Sequence, residues 1–131
     1  MSYKVEYERW CNHANADIVE ELRSYSEKDI EDSFYKNLSF GTGGLRGTIG
    51  AGTNRMNVHT VGKASQGLAD YLNKTCEAPS VVVGYDSRIK SDVFAKTAAD
   101  IFAANGIQVH VWPELLPVPT VSFATRYLKA D

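Results

Sequence analysis

The strongest constraint on the fold is a strand–helix–strand pattern in the second half of the chain. The run Val81 to Tyr85 is continuously apolar and rich in β-branched residues, which is typical of a strand buried on both faces. Ser91 is predicted to cap a helix that ends at Gly106, and Ile107 to Trp112 is predicted to form the next strand. Strands joined through a helix pair in parallel by a right-handed crossover, so we expect a parallel sheet.

Two further helices and a glycine-rich segment surround this pattern. Thr60 is predicted to cap a helix whose apolar residues recur every three or four positions, and another helix is predicted from Pro119 and Thr120. Residues 38–57 contain six glycines, which favours tight turns with short extended pieces around residues 45–49. We therefore expect an α/β fold, with a mixed, largely parallel sheet and flanking helices.

The first 36 residues differ from the rest of the chain. They contain no glycine or proline and carry five basic and nine acidic residues, whereas residues 37–131 carry nine and seven. Two or three short amphipathic helices are predicted here, one of them starting at the capping-box sequence Ser26-Glu27-Lys28-Asp29. We expect residues 1–36 to form an acidic helical extension packed on an α/β domain of residues 37–131.

Composition and charge disfavour several classes of protein. A length of 131 residues suits one soluble domain, and no apolar run approaches the roughly 20 residues of a membrane span. The net charge of −2 argues against a nucleic-acid partner, which requires a basic face. The start of the chain has no secretory signal pattern, so we expect a cytoplasmic protein with Cys11 and Cys76 reduced.

Two segments combine glycines or strand ends with charged side chains. In open α/β sheets, ligands bind beyond the carboxyl ends of the strands, and Asp86, Ser87 and Arg88 occupy such a place. The segment Gly41 to Gly47 offers backbone amides and the planar fork of Arg46, which matches phosphate oxygens. A phosphate or phosphosugar pocket is one interpretation; a plain turn and an internal Asp–Arg ion pair are the other.

Other chemistries find less support in the sequence. The glycine segment lacks the lysine and the serine or threonine of a P-loop. No Ser–His–acid set can be assigned, and we expect surface or packing roles for His13, His59 and His110. No paired-carboxylate loop that could hold a magnesium ion is evident.

Three ordered motifs carry a family resemblance. They are Phe40-Gly41-Thr42-Gly43-Gly44-Leu45-Arg46-Gly47, Val81-Val82-Val83-Gly84-Tyr85-Asp86-Ser87-Arg88 and Leu116-Pro117-Val118-Pro119-Thr120. In this order and at these distances they resemble the opening motifs of the α-D-phosphohexomutases. The acidic helical extension and the run from Gly50 to Asn57 resemble the phosphoglucomutase and phosphopentomutase branch in particular.

The resemblance implies a fold, an activity and cofactors for a longer parent enzyme. Members of the family have four α/β domains around a cleft and move a phosphoryl group between C1 and C6 of a hexose through a bisphosphate. For this chain it implies interconversion of glucose 1-phosphate and glucose 6-phosphate, with Mg²⁺ and with glucose 1,6-bisphosphate as intermediate or activator. The family's phosphoserine loop is expected after Asp131, so we expect the 131-residue chain alone to be inactive.

Site residues are carried over by their position in the motifs. The resemblance implies that Arg46 is the active-site arginine beside the phosphoserine, where it stabilises the charge of the transferring phosphoryl group. It implies that Thr42 and Gly43 shape the same phosphate-binding loop, and that Asp86 and Arg88 support it. It implies no metal ligand in this chain, because the magnesium loop belongs to a later domain.

Two alternative functions stay open beside the phosphoglucomutase interpretation. A phosphopentomutase acting on ribose 1-phosphate and ribose 5-phosphate belongs to the same branch, and a non-catalytic phosphate-binding module could reuse the fold. We expect a phosphosugar substrate and the remaining domains of the same polypeptide as partners, with neither nucleic acid nor membrane. Strand edges left uncovered after Asp131 favour self-association of the isolated chain.

Overall fold

The computed structural model describes residues 2–131, in which six α-helices and four short β-strands occur. In chain order the elements are α1 (Tyr3–His13), α2 (Ala16–Arg23), α3 (Glu27–Phe34), β1 (Phe40–Gly41), β2 (Gly44–Leu45), α4 (Val58–Thr75), β3 (Ser80–Val83), α5 (Ser91–Ala104), β4 (Gln108–Val111) and α6 (Val118–Tyr127). The residues group into two compact units, one ending at Thr60 and the other beginning at Val61. Among the described residues, no helix has the length and apolarity needed to cross a bilayer.

The first unit is built around an aromatic core. Its buried apolar residues come from α1, α2, α3 and the loop beyond them: Trp10, Ile18, Leu22, Phe34 and Ala51. The rings of Trp10 and Phe34 meet edge to face, with their centroids 5.6 Å apart, a geometry that the ring quadrupoles favour. Because each helix is too short to be stable alone, burial of this shared apolar surface is what stabilises all three.

Helix α3 begins with a reciprocal cap. The Asp29 N–H donates to Ser26 Oγ at 3.3 Å, and the Ser26 N–H donates to the Asp29 carboxylate at 3.0 Å. These two bonds satisfy backbone donors that a helix start leaves unpaired. The predicted capping box is confirmed, and the hydrogen bond from the Ser26 hydroxyl is the main reason that the pKa of the Asp29 carboxyl is lowered.

The second unit contains the predicted strand–helix–strand pattern. Strands β3 and β4 pair in parallel, with Ser80 opposite Gln108 and Val83 opposite Val111, and α5 connects them. The core of this unit lies between α4, α5 and the strands and consists of Ala69, Leu72, Val81, Phe102 and Ile107. Gly106 has a φ of +77° directly after α5, so the predicted left-handed helix stop is confirmed.

A second glycine of this unit, Gly84, lies where a side chain of α6 comes close to the backbone. A Cβ on Gly84 would lie 2.5 Å from Val121 Cγ2 of α6. No side chain fits at that distance, so the glycine lets α6 lie against the chain that leaves β3. The chain then returns to the start of β3, where the Asp131 N–H donates to the Ser80 carbonyl at 2.8 Å.

Two predicted helix starts are wrong in detail. Asn57, and not Thr60, caps α4, because Asn57 Oδ1 accepts from the N–H groups of His59 and Thr60, each at 3.0 Å. The Ser91 hydroxyl does not cap α5 by accepting from a helix amide. It donates to Asp86 Oδ1 at 2.9 Å.

The α/β class is confirmed, and the parallel part of the sheet is small. The strands form two separate pairs, antiparallel β1–β2 and parallel β3–β4. Outside the named strands, Ile49 and Met56 form an isolated bridge. Most other residues of the glycine-rich segment (38–57) lie in turns and irregular structure. The division of the chain into a helical extension (1–36) and a domain (37–131) stays a prediction, because the compact units divide after Thr60.

Candidate functional site

Three of the predicted site residues lie in one hairpin of the first unit, which we call the glycine hairpin (residues 40–47). Strands β1 and β2 pair antiparallel, and Thr42 and Gly43 form the two-residue turn between them. Gly44 has a φ of +117°, a conformation that side-chain-bearing residues rarely adopt. Arg46 follows β2 directly, three residues after Gly43. The turn and the arginine therefore belong to the same small hairpin.

Arg46 presents a charged group beside the turn. A Cβ on Gly43 would lie 3.0 Å from Arg46 Nη2, so the guanidinium lies against the turn backbone. Arg46 is exposed, and it forms no ion pair with any carboxylate in residues 2–131. An exposed guanidinium without a carboxylate partner, next to a glycine turn, is suited to bind an anion such as phosphate.

Both ends of the glycine hairpin are tied to one short segment, residues 53–56, which we call the anchor segment. Before the hairpin, the Leu38 N–H donates to the Thr53 carbonyl at 2.8 Å. After it, the Met56 N–H donates to the Thr48 carbonyl, also at 2.8 Å. The hairpin therefore leaves and rejoins the body of the unit at fixed points.

Helix α2 holds the loop that precedes the anchor segment. Glu21 Oε1 accepts from the Tyr25 hydroxyl at 2.6 Å and from the Ala51 N–H at 3.0 Å. Partial burial and the neighbouring Glu21 carboxylate raise the pKa of Tyr25 to about 12, because both disfavour a phenolate at that place. Tyr25 therefore remains a neutral donor at physiological pH.

Asn57 closes the same loop from its other end. Its side-chain amide donates to the carbonyls of Gly50 and Gly52, at 2.9 and 3.0 Å. Because its oxygen caps α4 at the same time, one buried side chain fixes both the loop and the start of the helix.

The sequence predictions missed the anchor segment and Asn57. The only signal for them was the polar run from Thr53 to Asn57 directly after a glycine, which we interpreted as a mark of the family branch. In the structure, most of its polar groups bond to α3 or to the loop.

The second unit holds the other two predicted residues. Asp86 accepts from the Arg88 N–H at 3.0 Å, from Ser91 Oγ at 2.9 Å and from Arg88 Nε at 2.8 Å. These bonds, with the Arg88 amide as the largest cause, lower the pKa of the Asp86 carboxyl. The arrangement forms the turn between β3 and α5, in which Ser87 is exposed.

The predicted residues thus form two groups. Thr42, Gly43 and Arg46 lie together in the glycine hairpin, and Asp86 and Arg88 bond to each other in the other compact unit. The roles expected for all five stay predictions.

Metal ligands and histidines add nothing to either group. No set of three His, Cys, Asp or Glu side chains in residues 2–131 is placed to hold a metal ion. The described residues therefore do not fit Mg²⁺. His59 has a packing role: its Nε2 accepts from the Asn15 N–H at 3.3 Å, and its ring meets Trp10 edge to face.

Comparison with curated proteins finds relatives named phosphoglucomutase. A protein named phosphoglucomutase from Staphylococcus epidermidis is 36% identical over 123 residues, which cover 93% of this chain and 22% of that protein. Another of that name from Staphylococcus aureus is 36% identical over 126 residues, covering 95% of this chain and 23% of the relative. The chain therefore spans less than a quarter of the length of these relatives. No solved structure matches it.

A family model agrees with these relatives. The model described as phosphoglucomutase/phosphomannomutase, alpha/beta/alpha domain I, matches residues 37–131. This match covers most of the chain and includes the glycine hairpin, both parallel strands and the turn at Asp86. The chain belongs to the phosphoglucomutase/phosphomannomutase family, and residues 37–131 correspond to the family's α/β/α domain I.

Proposed function

We propose that the full-length protein is a phosphoglucomutase, which interconverts glucose 1-phosphate and glucose 6-phosphate by phosphoryl transfer through a phosphoserine. In this proposal the phosphoserine lies in a part of the protein outside residues 1–131. The chain contributes the glycine hairpin, in which Arg46 binds the transferring phosphoryl group.

The observation that carries the proposal is that Arg46 forms no ion pair with a carboxylate of the described residues. Most arginines close to a carboxylate are neutralised by it, as Arg88 is by Asp86 at 2.8 Å. Arg46 has no such partner among the described residues, and its guanidinium lies against a turn of small residues. The relatives named phosphoglucomutase support a transferring phosphoryl group as the anion in this proposal.

The chemistry of phosphoryl transfer explains why a guanidinium is useful there. As the phosphoryl group moves, negative charge spreads over its three equatorial, non-bridging oxygens. A guanidinium stays charged at all physiological pH values, and it is already in place beside the turn, so it stabilises that charge without reorganising. Removal of one such donor lowers kcat by roughly 10²–10³-fold in enzymes that depend on it.

The other predicted residues have supporting roles in the proposal. Thr42 and Gly43 shape the turn, and the small size of Gly43 leaves the space that Arg46 occupies. Asp86 and Arg88 fix the turn after β3. Mg²⁺ is part of the proposal for the full-length enzyme, but the described residues hold no cluster of three ligands for it.

Kinetics of the full-length protein test the proposal. Conversion of glucose 1-phosphate is followed by coupling glucose 6-phosphate formation to its dehydrogenase. We expect activity in the wild type, a loss of kcat of roughly 10²–10³-fold in Arg46→Met, and little change in Arg9→Met. Arg9 is a suitable control because it forms an exposed ion pair with Glu6 on α1.

The alternatives give different results in the same assay. A wild type that converts ribose 1-phosphate faster than glucose 1-phosphate would be a phosphopentomutase. A wild type that converts neither sugar but binds phosphate would be a binding module. Full activity in Arg46→Met would contradict the role given to that residue.

A further inference from the structure

The anchor segment connects the glycine hairpin to helix α3. Its two ends bond to the residues on either side of the hairpin, Leu38 and Thr48, through main-chain hydrogen bonds of 2.8 Å. Neither bond involves Arg46 itself. A shift of the anchor segment would therefore move both ends of the hairpin together.

Several contacts fix the anchor segment to α3 and the residues just after it. The Asn54 N–H donates to the Ser33 carbonyl at 2.9 Å, and the Asn54 side-chain amide donates to the Asp32 carbonyl at 3.2 Å. The Thr53 hydroxyl donates to the Lys36 carbonyl at 2.8 Å. Arg55 contacts Asp32 twice, through a hydrogen bond from Nη1 to its carbonyl at 3.4 Å and through an ion pair with its carboxylate. Of these contacts, only the ion pair joins two full charges.

Arg55 differs from the surface arginines of this chain in its burial. Its side chain is only 16% exposed, whereas the paired side chains of Arg9 and Arg88 are 61% and 80% exposed. Besides Asp32, its Nη1 donates to the Asn54 carbonyl at 3.1 Å. Its donors are thus directed at protein acceptors, and a partly desolvated, multiply bonded guanidinium holds its geometry better than an exposed one.

We propose that Arg55 is a positioning residue for Arg46: it holds the anchor segment, which fixes both ends of the glycine hairpin and so the place of the Arg46 guanidinium. This inference rests on the function proposed above. Arg55 touches no substrate in the proposal and acts only through the hairpin. Displacement of a catalytic group by about 1 Å costs up to about 10²-fold in rate, so such an indirect effect is measurable.

A double-mutant cycle in the full-length enzyme separates positioning from general damage. We expect Arg55→Met to lower kcat by roughly 10–100-fold with little change in KM, and Arg55→Lys to restore part of that loss. In an Arg46→Met background, Arg55→Met should lower kcat by less than about threefold, because the group that it positions is gone. An equal loss of kcat in both backgrounds, or no loss in either, would overturn the proposal.

Hydrogen exchange gives a readout that does not depend on activity. Arg55→Met should speed amide exchange in a peptide covering residues 38–48 and leave residues 16–23 of α2, in the same unit, unchanged, which shows that the unit stays folded. Arg9→Met, which breaks the exposed pair with Glu6, should change neither region. Unchanged exchange in residues 38–48 of Arg55→Met would contradict the anchoring.

The two measurements keep the proposals apart. If the wild type proves to have no mutase activity, the proposed function fails, while the exchange data still decide whether Arg55 anchors the hairpin. If the wild type is active and Arg55→Met leaves kcat and exchange unchanged, only the inference about Arg55 fails.

Discussion

The guanidinium of Arg46 lies beside Gly43 in the glycine hairpin, next to the space that a Cβ at Gly43 would occupy. A Cβ added to Gly43 would come within 3.0 Å of Arg46 Nη2. That distance is shorter than ordinary van der Waals contact, so the shape of the turn and the place of the charge are coupled.

Replacement of Gly43 tests this coupling. The Cβ of Gly43→Ala would push the end of a flexible side chain, so we expect the fold to persist and kcat to fall by about 3–10-fold. The same replacement in an Arg46→Met background should have little effect on kcat. Gly41→Ala is the matched comparison, since its Cβ would meet only the Gly44 carbonyl at 3.6 Å and should cost less. Equal losses in the two glycine variants would argue against a specific contact.

Gly52 should be the most sensitive glycine of the first unit. Its φ is +126°, and a Cβ there would lie 2.6 Å from the Ser33 carbonyl oxygen of α3. We expect Gly52→Ala to destabilise this unit by at least about 2 kcal/mol, with faster amide exchange in residues 27–57. Gly67→Ala, in the open interior of α4, should instead stabilise its unit by about 0.5–1 kcal/mol. Similar exchange in both variants would contradict the packing of Gly52 on α3.

Alkaline pH should weaken the loop that Tyr25 holds. The pKa of Tyr25 rises from 10.0 to about 12 on folding, so the folded state binds the phenolic proton more tightly than the unfolded state. The stabilisation is complete below pH 10 and is lost as the pH rises towards about 12. Tyrosinate absorbance, taken as the difference between wild type and Tyr25→Phe, should show a midpoint near the upper value. A midpoint near 10 would mean that Tyr25 is not held by Glu21.

Acidic pH should loosen the turn between β3 and α5. The pKa of the Asp86 carboxyl is lowered by its bonds to Arg88 and Ser91, so its contribution to stability is present above the unfolded pKa and disappears as the pH falls through the lowered value. Asp86→Ala should speed amide exchange in residues 86–94 at neutral pH. Asp100→Ala, which removes an exposed partner of Lys96 on the same helix, should leave that region unchanged.

Patterns that depend on neighbours in sequence were predicted well. The helix stop at Gly106 and the capping box at Ser26 each depend on residues close along the chain, and the parallel pairing of β3 and β4 follows from the strand–helix–strand order. Local chemistry decides these features, so composition and spacing are enough to predict them.

Features that depend on distant partners were predicted poorly. Thr60 and Asn57 are both good helix caps in isolation. Asn57 is the actual cap because its amide also reaches the Gly50 and Gly52 carbonyls. The Arg55–Asp32 pair joins residues 23 positions apart, which no spacing rule predicts. Arg46 was a candidate from its motif, but its lack of a carboxylate partner among the described residues emerged only from the structure.

The bonds at both ends of the glycine hairpin join main-chain atoms, Leu38 to Thr53 and Met56 to Thr48. Substitution at these four positions leaves the bonding N–H and C=O groups in place, provided that proline is avoided at the two donors. An insertion or deletion between residues 48 and 56 would instead shift the pairing and disconnect the hairpin. We therefore expect related sequences to preserve the length of residues 48–56 more strictly than the residue types at Leu38, Thr48 and Met56.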